Sequence, residues 1–88
     1  MQIEITRKFK KQVEYCKDQR LKSKVLGIIQ AVIVSESMNE FANLKKLTGH
    51  KYSYRIRLGN YRIGIVINDK TVIFAAFDHR SEIYKYFP

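Results

Sequence analysis

Apolar and polar positions follow two different periods along the chain. Residues 2–5 alternate, which predicts a short strand. In residues 7–17 apolar side chains recur every three or four positions after Thr6, a suitable N-cap, and this predicts an amphipathic helix. Asp18 can cap a second helix, which carries an apolar stripe up to Ile33 and ends around residues 35–37. The N-terminal part therefore predicts a strand followed by a helical hairpin.

The period changes to two residues beyond residue 51. Residues 52–58 alternate and end at Gly59-Asn60, a two-residue turn typical of a β-hairpin, and residues 61–67 form the predicted return strand. A second turn at 68–70 leads to residues 71–77, an apolar segment typical of a strand covered on both faces. Residues 38–49 have no clear period and predict irregular chain or one helical turn. The tail, residues 80–87, predicts one or two helical turns.

These elements predict a small α+β fold with one domain over residues 1–88. The last strand of a three-strand meander is central only when another strand flanks it, and the N-terminal strand is the one available. We therefore predict a four-stranded, mainly antiparallel sheet in the order 1-4-3-2. The helical hairpin packs on one face, and the element order is β-α-α-β-β-β with a short C-terminal helix.

The charge of the chain predicts a binding surface. Seventeen Lys and Arg residues stand against eight Asp and Glu, a formal net charge of +9, which indicates a nucleic acid or an acidic protein as partner. One cysteine and two histidines exclude an internal disulfide and a four-ligand zinc site, and favour a reducing cytoplasm. The pattern predicts neither a signal peptide nor a membrane-spanning segment, so no membrane partner is expected.

Three arginines of the predicted hairpin point to a phosphate site. If Gly59-Asn60 is the whole turn, Arg57 lies opposite Arg62 and Arg55 opposite Gly64. The three arginines then share one face of the sheet, which we call the arginine face. Like charges at paired positions are destabilising, and a bound phosphate relieves the repulsion through bidentate contacts. The alternative interpretation is a solvated sheet face with scattered ion pairs.

The tail adds candidates for phosphate contact and proton transfer. If a helical turn begins near residue 80, Arg80 and Tyr84 lie one turn apart on the same face. A tyrosine beside several cations gives up its proton more readily, so Tyr84 is a candidate general base. His79 is a second candidate, because histidine exchanges protons near neutral pH. The structural alternatives are a hydrogen-bonded histidine and a tyrosine that covers the end of the core.

With these features the chain resembles the RelE/ParE superfamily of toxins from bacterial toxin–antitoxin pairs. The resemblance covers nearly the whole chain. It rests on the element order, on a leucine-lysine segment at 44–47 followed by YSYRIRLGNYRIGIVI, and on the tail HRSEIY. GNYR and HR-x-x-x-Y are its most specific parts. The resemblance implies a fold that agrees with the predicted sheet.

The function that the resemblance implies divides into classes. RelE-like members are metal-independent ribonucleases that cleave mRNA in the ribosomal A site by attack of a 2′-hydroxyl on the adjacent phosphate. ParE-like members inhibit DNA gyrase and lack the basic catalytic cluster, and some relatives are inactive. The arginine face favours the ribonuclease. A gyrase inhibitor and a non-catalytic basic module that binds RNA or an acidic partner remain the alternatives.

The resemblance also implies roles for particular residues. The expected catalytic residues are Arg62, Tyr84, Arg80, Arg57 and, second to Tyr84, His79, and the expected phosphate-binding residues are Arg55, Lys45, Lys46 and Lys51. The chain departs from the family at Arg55 and Arg57, where Lys is well known, and at Asp78, which stands where some ribonucleases have a cation and which weakens the expected phosphate binding. No metal or other cofactor is expected. The expected partners are mRNA, the ribosome with its RNA, and a cognate acidic antitoxin that covers the arginine face in a hetero-oligomer.

Overall fold

The computed structural model describes all residues from Met1 to Pro88 and contains two helices and five strands. In chain order they are β1 (Gln2–Ile5), α1 (Arg7–Tyr15), α2 (Gln19–Val34), β2 (Leu44–Lys46), β3 (Ser53–Leu58), β4 (Tyr61–Asn68), β5 (Thr71–His79) and a C-terminal 3₁₀ turn (Ile83–Lys85). The sheet order is β1-β5-β4-β3-β2, with β1 parallel to β5 and the other pairs antiparallel. Neither helix has the length and apolar character needed to cross a membrane.

The prediction of a four-stranded sheet is wrong, because β2 adds a fifth strand at the edge. Leu44 pairs with Ile56 and Lys46 with Tyr54, in a segment that the sequence predicts to be irregular. Three residues are too few to show an alternating pattern, and the segment becomes a strand only because β3 offers it a partner. The remaining four strands follow the predicted order, and the α+β class is confirmed.

Both helices begin at the predicted caps. The Thr6 Oγ1 accepts a hydrogen bond from the N–H three residues later at 3.2 Å, and the Asp18 Oδ1 does the same at 3.1 Å. The helices end slightly earlier than predicted, at Tyr15 and Val34. In each case the residue that follows the helix has an extended backbone, which ends the helix. After α1 this leaves a short connection to α2.

An irregularity in β5 lies where α1 begins. Ala75 has no partner on β4, because the residues on either side of it pair with consecutive residues of that strand. The additional residue allows Phe74 and Phe77 to face the same core although they are three positions apart. The Thr6 hydroxyl lies 3.2 Å and 3.1 Å from the carbonyl oxygens of Phe74 and Ala75. The residue that caps the helix therefore also donates a hydrogen bond to the carbonyl groups of the irregular strand.

We expect Thr6→Ala to lower the free energy of unfolding by about 1–2 kcal/mol, because it removes the cap acceptor of α1 and the donor to β5. Thr6→Ser retains the hydroxyl and should lose clearly less. Chemical denaturation of the wild type and both variants measures the difference. Equal losses in the two variants would show that the methyl group, and not the hydroxyl, accounts for the effect.

The main core lies between the two helices and one face of the sheet. Phe9 on α1 and Phe74 on β5 are fully buried there and pack edge to face, with their ring centres 5.5 Å apart. A smaller cluster of Ala76, Ile83 and Phe87 holds the C-terminal turn against the opposite face of the sheet. That second face is free of helices, and the predicted arginine face occupies it.

Candidate active site

The register of the β3–β4 hairpin is the one that the sequence predicts. Arg57 pairs with Arg62 and Arg55 with Gly64, so the three arginines share the face opposite the helices. Gly59 begins the turn with φ of +58°, which glycine adopts without strain. The added strand β2 then places Lys45 opposite Arg55 and brings a further cation to the same face.

A groove of about 520 Å³ lies on this face beside the C-terminal turn. We call it the cationic groove, and its lining consists of Lys45, Lys46, Leu47, Thr48, Arg55, Arg62, Arg80, Ser81 and Tyr84. Five of these nine side chains are Lys or Arg and none is acidic. Residues from β2, β3, β4 and the tail therefore meet in one site of the size typical for small ligands.

Two arginines of the cationic groove are held by backbone carbonyls. The Arg62 Nη1 donates to the carbonyl oxygens of Gly59 and Tyr61 at 2.7 Å and 2.9 Å. The Arg55 Nη1 donates to the carbonyl oxygen of Asn43 at 2.7 Å. A carbonyl orients a guanidinium group but leaves its charge unneutralised, and each group keeps further N–H donors for an anion.

The acidic side chains near the cationic groove form no ion pair with its lysines or arginines. The only ion pair in the structure joins Lys85 to Glu82 at 3.2 Å, and neither residue lines the groove. The carboxylate of Asp78 accepts hydrogen bonds from the His79 N–H and the Tyr86 hydroxyl, each at 2.8 Å. The positive charge of the groove is therefore available to an incoming anion.

Tyr84 lies on a turn that is anchored on both sides. Ile83 and Phe87 are buried in the smaller cluster, whereas Tyr84 is 48% exposed and lines the cationic groove. The N–H of Arg80 donates to the carbonyl of Asn60 at 2.8 Å, which ties the start of the tail to the hairpin turn. These anchors place an exposed phenol beside the cluster of cations.

Comparison with known proteins finds relatives of this chain, although no family model matches it. The curated protein Toxin RelE3 of Methanocaldococcus jannaschii is 44% identical over 69 residues, which cover 77% of this chain and 78% of that protein. The chain belongs to the RelE toxin family. This confirms the resemblance that GNYR and HRSEIY indicate.

Solved structures support the same assignment. The RelB–RelE antitoxin–toxin complex from Methanococcus jannaschii contains a chain that is 36% identical to this RelE family member, with a TM-score of 0.83 and coverage of 97% and 99% of the two chains. The intact RelBE toxin–antitoxin complex of E. coli matches with 18% identity, a TM-score of 0.69 and coverage of 89% and 94%. At that identity the likeness concerns the fold alone.

In this RelE family member two of the expected cations lie beside the cationic groove. Arg57 is exposed on the arginine face but does not line the groove. Lys51 lines a second groove of about 550 Å³ on the loop before β3. The two grooves share Lys46, Leu47 and Thr48, so they form one continuous basic surface.

His79 lies on the other face of the sheet from Arg62. It pairs with Tyr61, and its ring packs edge to face against the Tyr61 ring with the centres 5.5 Å apart. The Ser81 N–H donates to the Nδ1 of His79 at 3.1 Å. His79 does not line the cationic groove, so its position favours Tyr84 as the group beside a bound phosphate.

Two hydroxyl-bearing residues of the cationic groove are missing from the sequence-based prediction. Thr48 lies in a loop without periodicity, and nothing in the sequence indicates its position. Ser81 follows Arg80 within HRSEIY, and its position next to a predicted site residue is the sequence feature that could have indicated it. Both add polar contacts to a site whose charge comes from the lysines and arginines.

Proposed function

We propose that this RelE family member is the toxin of a type II toxin–antitoxin pair and an endoribonuclease that cleaves mRNA in the ribosomal A site. The observation that carries the proposal is the cationic groove, in which Arg55 and Arg62 keep uncompensated charge beside the exposed phenol of Tyr84. A phosphodiester with a neighbouring hydroxyl fits this combination of anion-binding groups and a proton carrier.

The proposed reaction is an internal transfer within the RNA. The 2′-oxygen forms a bond to the adjacent phosphorus, the bond from phosphorus to the 5′-oxygen breaks, and a cyclic 2′,3′-phosphate and a 5′-hydroxyl result. The phenolic oxygen of Tyr84 accepts the 2′-hydroxyl proton while its own proton passes to solvent. Arg62 in the groove and Arg57 beside it stabilise the negative charge that builds on the phosphorus-bound oxygens. Arg80 assists the leaving 5′-oxygen, which takes up a proton from solvent.

The remaining cations hold the nucleic-acid backbone. Lys45, Lys46 and Arg55 line the cationic groove, and Lys51 extends it into the adjoining groove. Contacts of this kind release counterions, so binding should weaken steeply as salt rises. RNA is the substrate and DNA is not, because the attacking group is a 2′-hydroxyl. A single 2′-deoxy nucleotide at the cleavage position should abolish cleavage and leave binding intact.

The proposal includes a cognate antitoxin as partner. The related toxins of M. jannaschii and E. coli were solved as complexes with RelB antitoxins. An acidic segment of such a partner complements the cationic groove and would block access to it. A short reading frame next to this gene, encoding an acidic segment, is the expected source of the partner.

We expect the purified protein to cleave mRNA when it is added to translating ribosomes, with new 5′ ends that carry a free hydroxyl. Mapping of the 5′ ends measures this, and the same RNA without ribosomes tests whether the ribosome is required. A supercoiling assay with DNA gyrase tests the first alternative, and gyrase inhibition without RNA cleavage would overturn the proposal. Salt-sensitive RNA binding without any cleavage would instead show a non-catalytic module.

A further inference from the structure

The C-terminal turn is attached to the rest of the molecule through the Tyr86 hydroxyl. This hydroxyl donates to the Asp78 Oδ2 at 2.8 Å and accepts from the Gln12 Nε2 at 2.6 Å. The Lys8 Nζ lies 4.0 Å above the centre of the Tyr86 ring. A helix, a strand and the tail therefore converge on one phenol.

Gln12 is at this position because β5 has a free edge there. β1 pairs only with residues Thr71 to Phe74, so the N–H of Phe77 has no strand beside it. The Gln12 Oε1 accepts a hydrogen bond from that N–H at 2.8 Å, and the Nε2 of the same side chain donates to Tyr86. One glutamine thus satisfies the strand edge and links it to the tail.

Packing alone does not determine the orientation of the turn. Phe87 lies against Gly64, where a Cβ atom would come within 2.6 Å of the aromatic ring, and Ile83 is fully buried. Apolar contacts of this kind hold the turn in place but are not directional. Hydrogen bonds are directional, and the two that Tyr86 makes are the side-chain bonds that join the end of the turn to α1 and β5, so they restrict its rotation about these anchors.

We propose that Tyr86, Gln12 and Asp78 are positioning residues that orient Tyr84 toward the RNA phosphate. The inference rests on the proposed function. Only one residue separates Tyr84 from Tyr86, so a rotation of the turn that breaks the Tyr86 hydrogen bonds also moves the Tyr84 hydroxyl. Displacements of about 1 Å are enough to slow a reaction by about 100-fold.

This arrangement gives Asp78 a role other than repelling the substrate. Both of its oxygens accept hydrogen bonds inside the protein, from the His79 N–H and from Tyr86. Burial, together with the hydrogen bond to Asp78 and the charges of Asp78 and Glu82, raises the pKa of Tyr86 to about 12, although the Gln12 hydrogen bond opposes the shift. The hydroxyl therefore remains a donor to Asp78 at every pH at which RNA cleavage is measured.

We expect Tyr86→Phe to lower the kcat of RNA cleavage about 10-fold and to leave KM within about twofold, because the groove cations are unchanged. Asp78→Ala should have the same effect. Asp78→Asn keeps one acceptor oxygen, which can accept from Tyr86 when the bond from the His79 N–H is given up, and it should retain about half of the activity or more. Tyr15→Phe is the matched control, since Tyr15 is 77% exposed on α1 and takes no part in the hydrogen bonds of Tyr86. Equal losses in Asp78→Asn and Asp78→Ala, or full kcat in Tyr86→Phe, would overturn the inference.

Amide hydrogen exchange separates this inference from the proposed function. The Phe87 N–H donates to the Ile83 carbonyl at 2.9 Å within the turn, and the Arg80 N–H donates to Asn60 outside it. In Tyr86→Phe the Phe87 N–H should exchange about 10-fold faster, and that of Arg80 should be unchanged. If the wild type cleaves no RNA, the proposed function fails, and unchanged Phe87 exchange would then overturn the positioning role as well.

Discussion

Tyr84→Phe should slow RNA cleavage by about 10²–10⁴-fold, the range typical for the loss of a positioned proton-transfer group. The substitution removes one hydroxyl and keeps the ring. Tyr84 is 48% exposed, and the buried residues on either side of it, Ile83 and Phe87, are untouched. The fold and the cations of the groove therefore stay as they are, and the loss falls on kcat with little change in RNA affinity.

Single-turnover cleavage measures the rate of the chemical step, and binding of a 2′-deoxy-substituted RNA measures the RNA affinity. Tyr52→Phe is a suitable control, because Tyr52 is equally exposed at 48% and does not line the cationic groove. His79→Ala tests the other proton carrier. If His79→Ala abolishes cleavage while Tyr84→Phe cleaves at the wild-type rate, proton transfer belongs to His79 and the proposed mechanism must be revised.

Arg62→Ala is the second substitution with a large expected effect, a loss of about 10²–10³-fold in kcat. Arg62 pairs with Arg57, and its guanidinium is held by two carbonyl oxygens of the hairpin turn. The charge is thus fixed in direction before the substrate arrives, which is the condition under which a charged group stabilises a transition state most. The substitution loses the two hydrogen bonds to the turn but relieves the repulsion with Arg57, so the net change in the free energy of unfolding should be small.

Arg62→Lys tests whether the positive charge alone accounts for the effect of Arg62. It retains the charge but not the planar pair of donors, and it should recover only a small part of the lost rate. The matched control is Arg20→Ala, an exposed arginine of α2 that lines none of the grooves described here. A rise in KM with unchanged kcat would mean that Arg62 binds the ground state and the transition state equally, contrary to the assigned role.

The hairpin that carries the arginines was predictable because its pattern is local. Gly59-Asn60 determines the turn, and a two-residue turn leaves one register for the flanking strands. Side chains alternate along a strand, so this register by itself puts Arg55, Arg57 and Arg62 on one face. The same local logic located both helix caps, since a cap depends on a side chain and an N–H three residues apart.

Contacts between distant segments could not be predicted from local patterns. β2 is three residues long and forms only against β3, so the sheet acquires a fifth strand and Lys45 comes to lie opposite Arg55. His79 precedes Arg80 in the sequence, but the strand alternation of β5 turns its ring toward Tyr61, away from the arginine face. Neighbouring residues of a strand point to opposite faces of the sheet. The motif HRSEIY does not show that the strand continues through His79, so the sequence could not predict which face His79 takes.

By itself, the amino-acid sequence determined the α+β class, the hairpin register, the excess of positive charge and membership of a toxin superfamily, because each depends on residues that are close together or on composition. The tertiary structure alone decided which cations meet in one groove and which polar groups hold the turn beside it. Gln12 and Tyr86 are 74 positions apart and meet only because β1 leaves the edge of β5 unpaired beyond Phe74. A hydrogen bond over such a distance follows from the packing of the whole chain and leaves no pattern in the sequence.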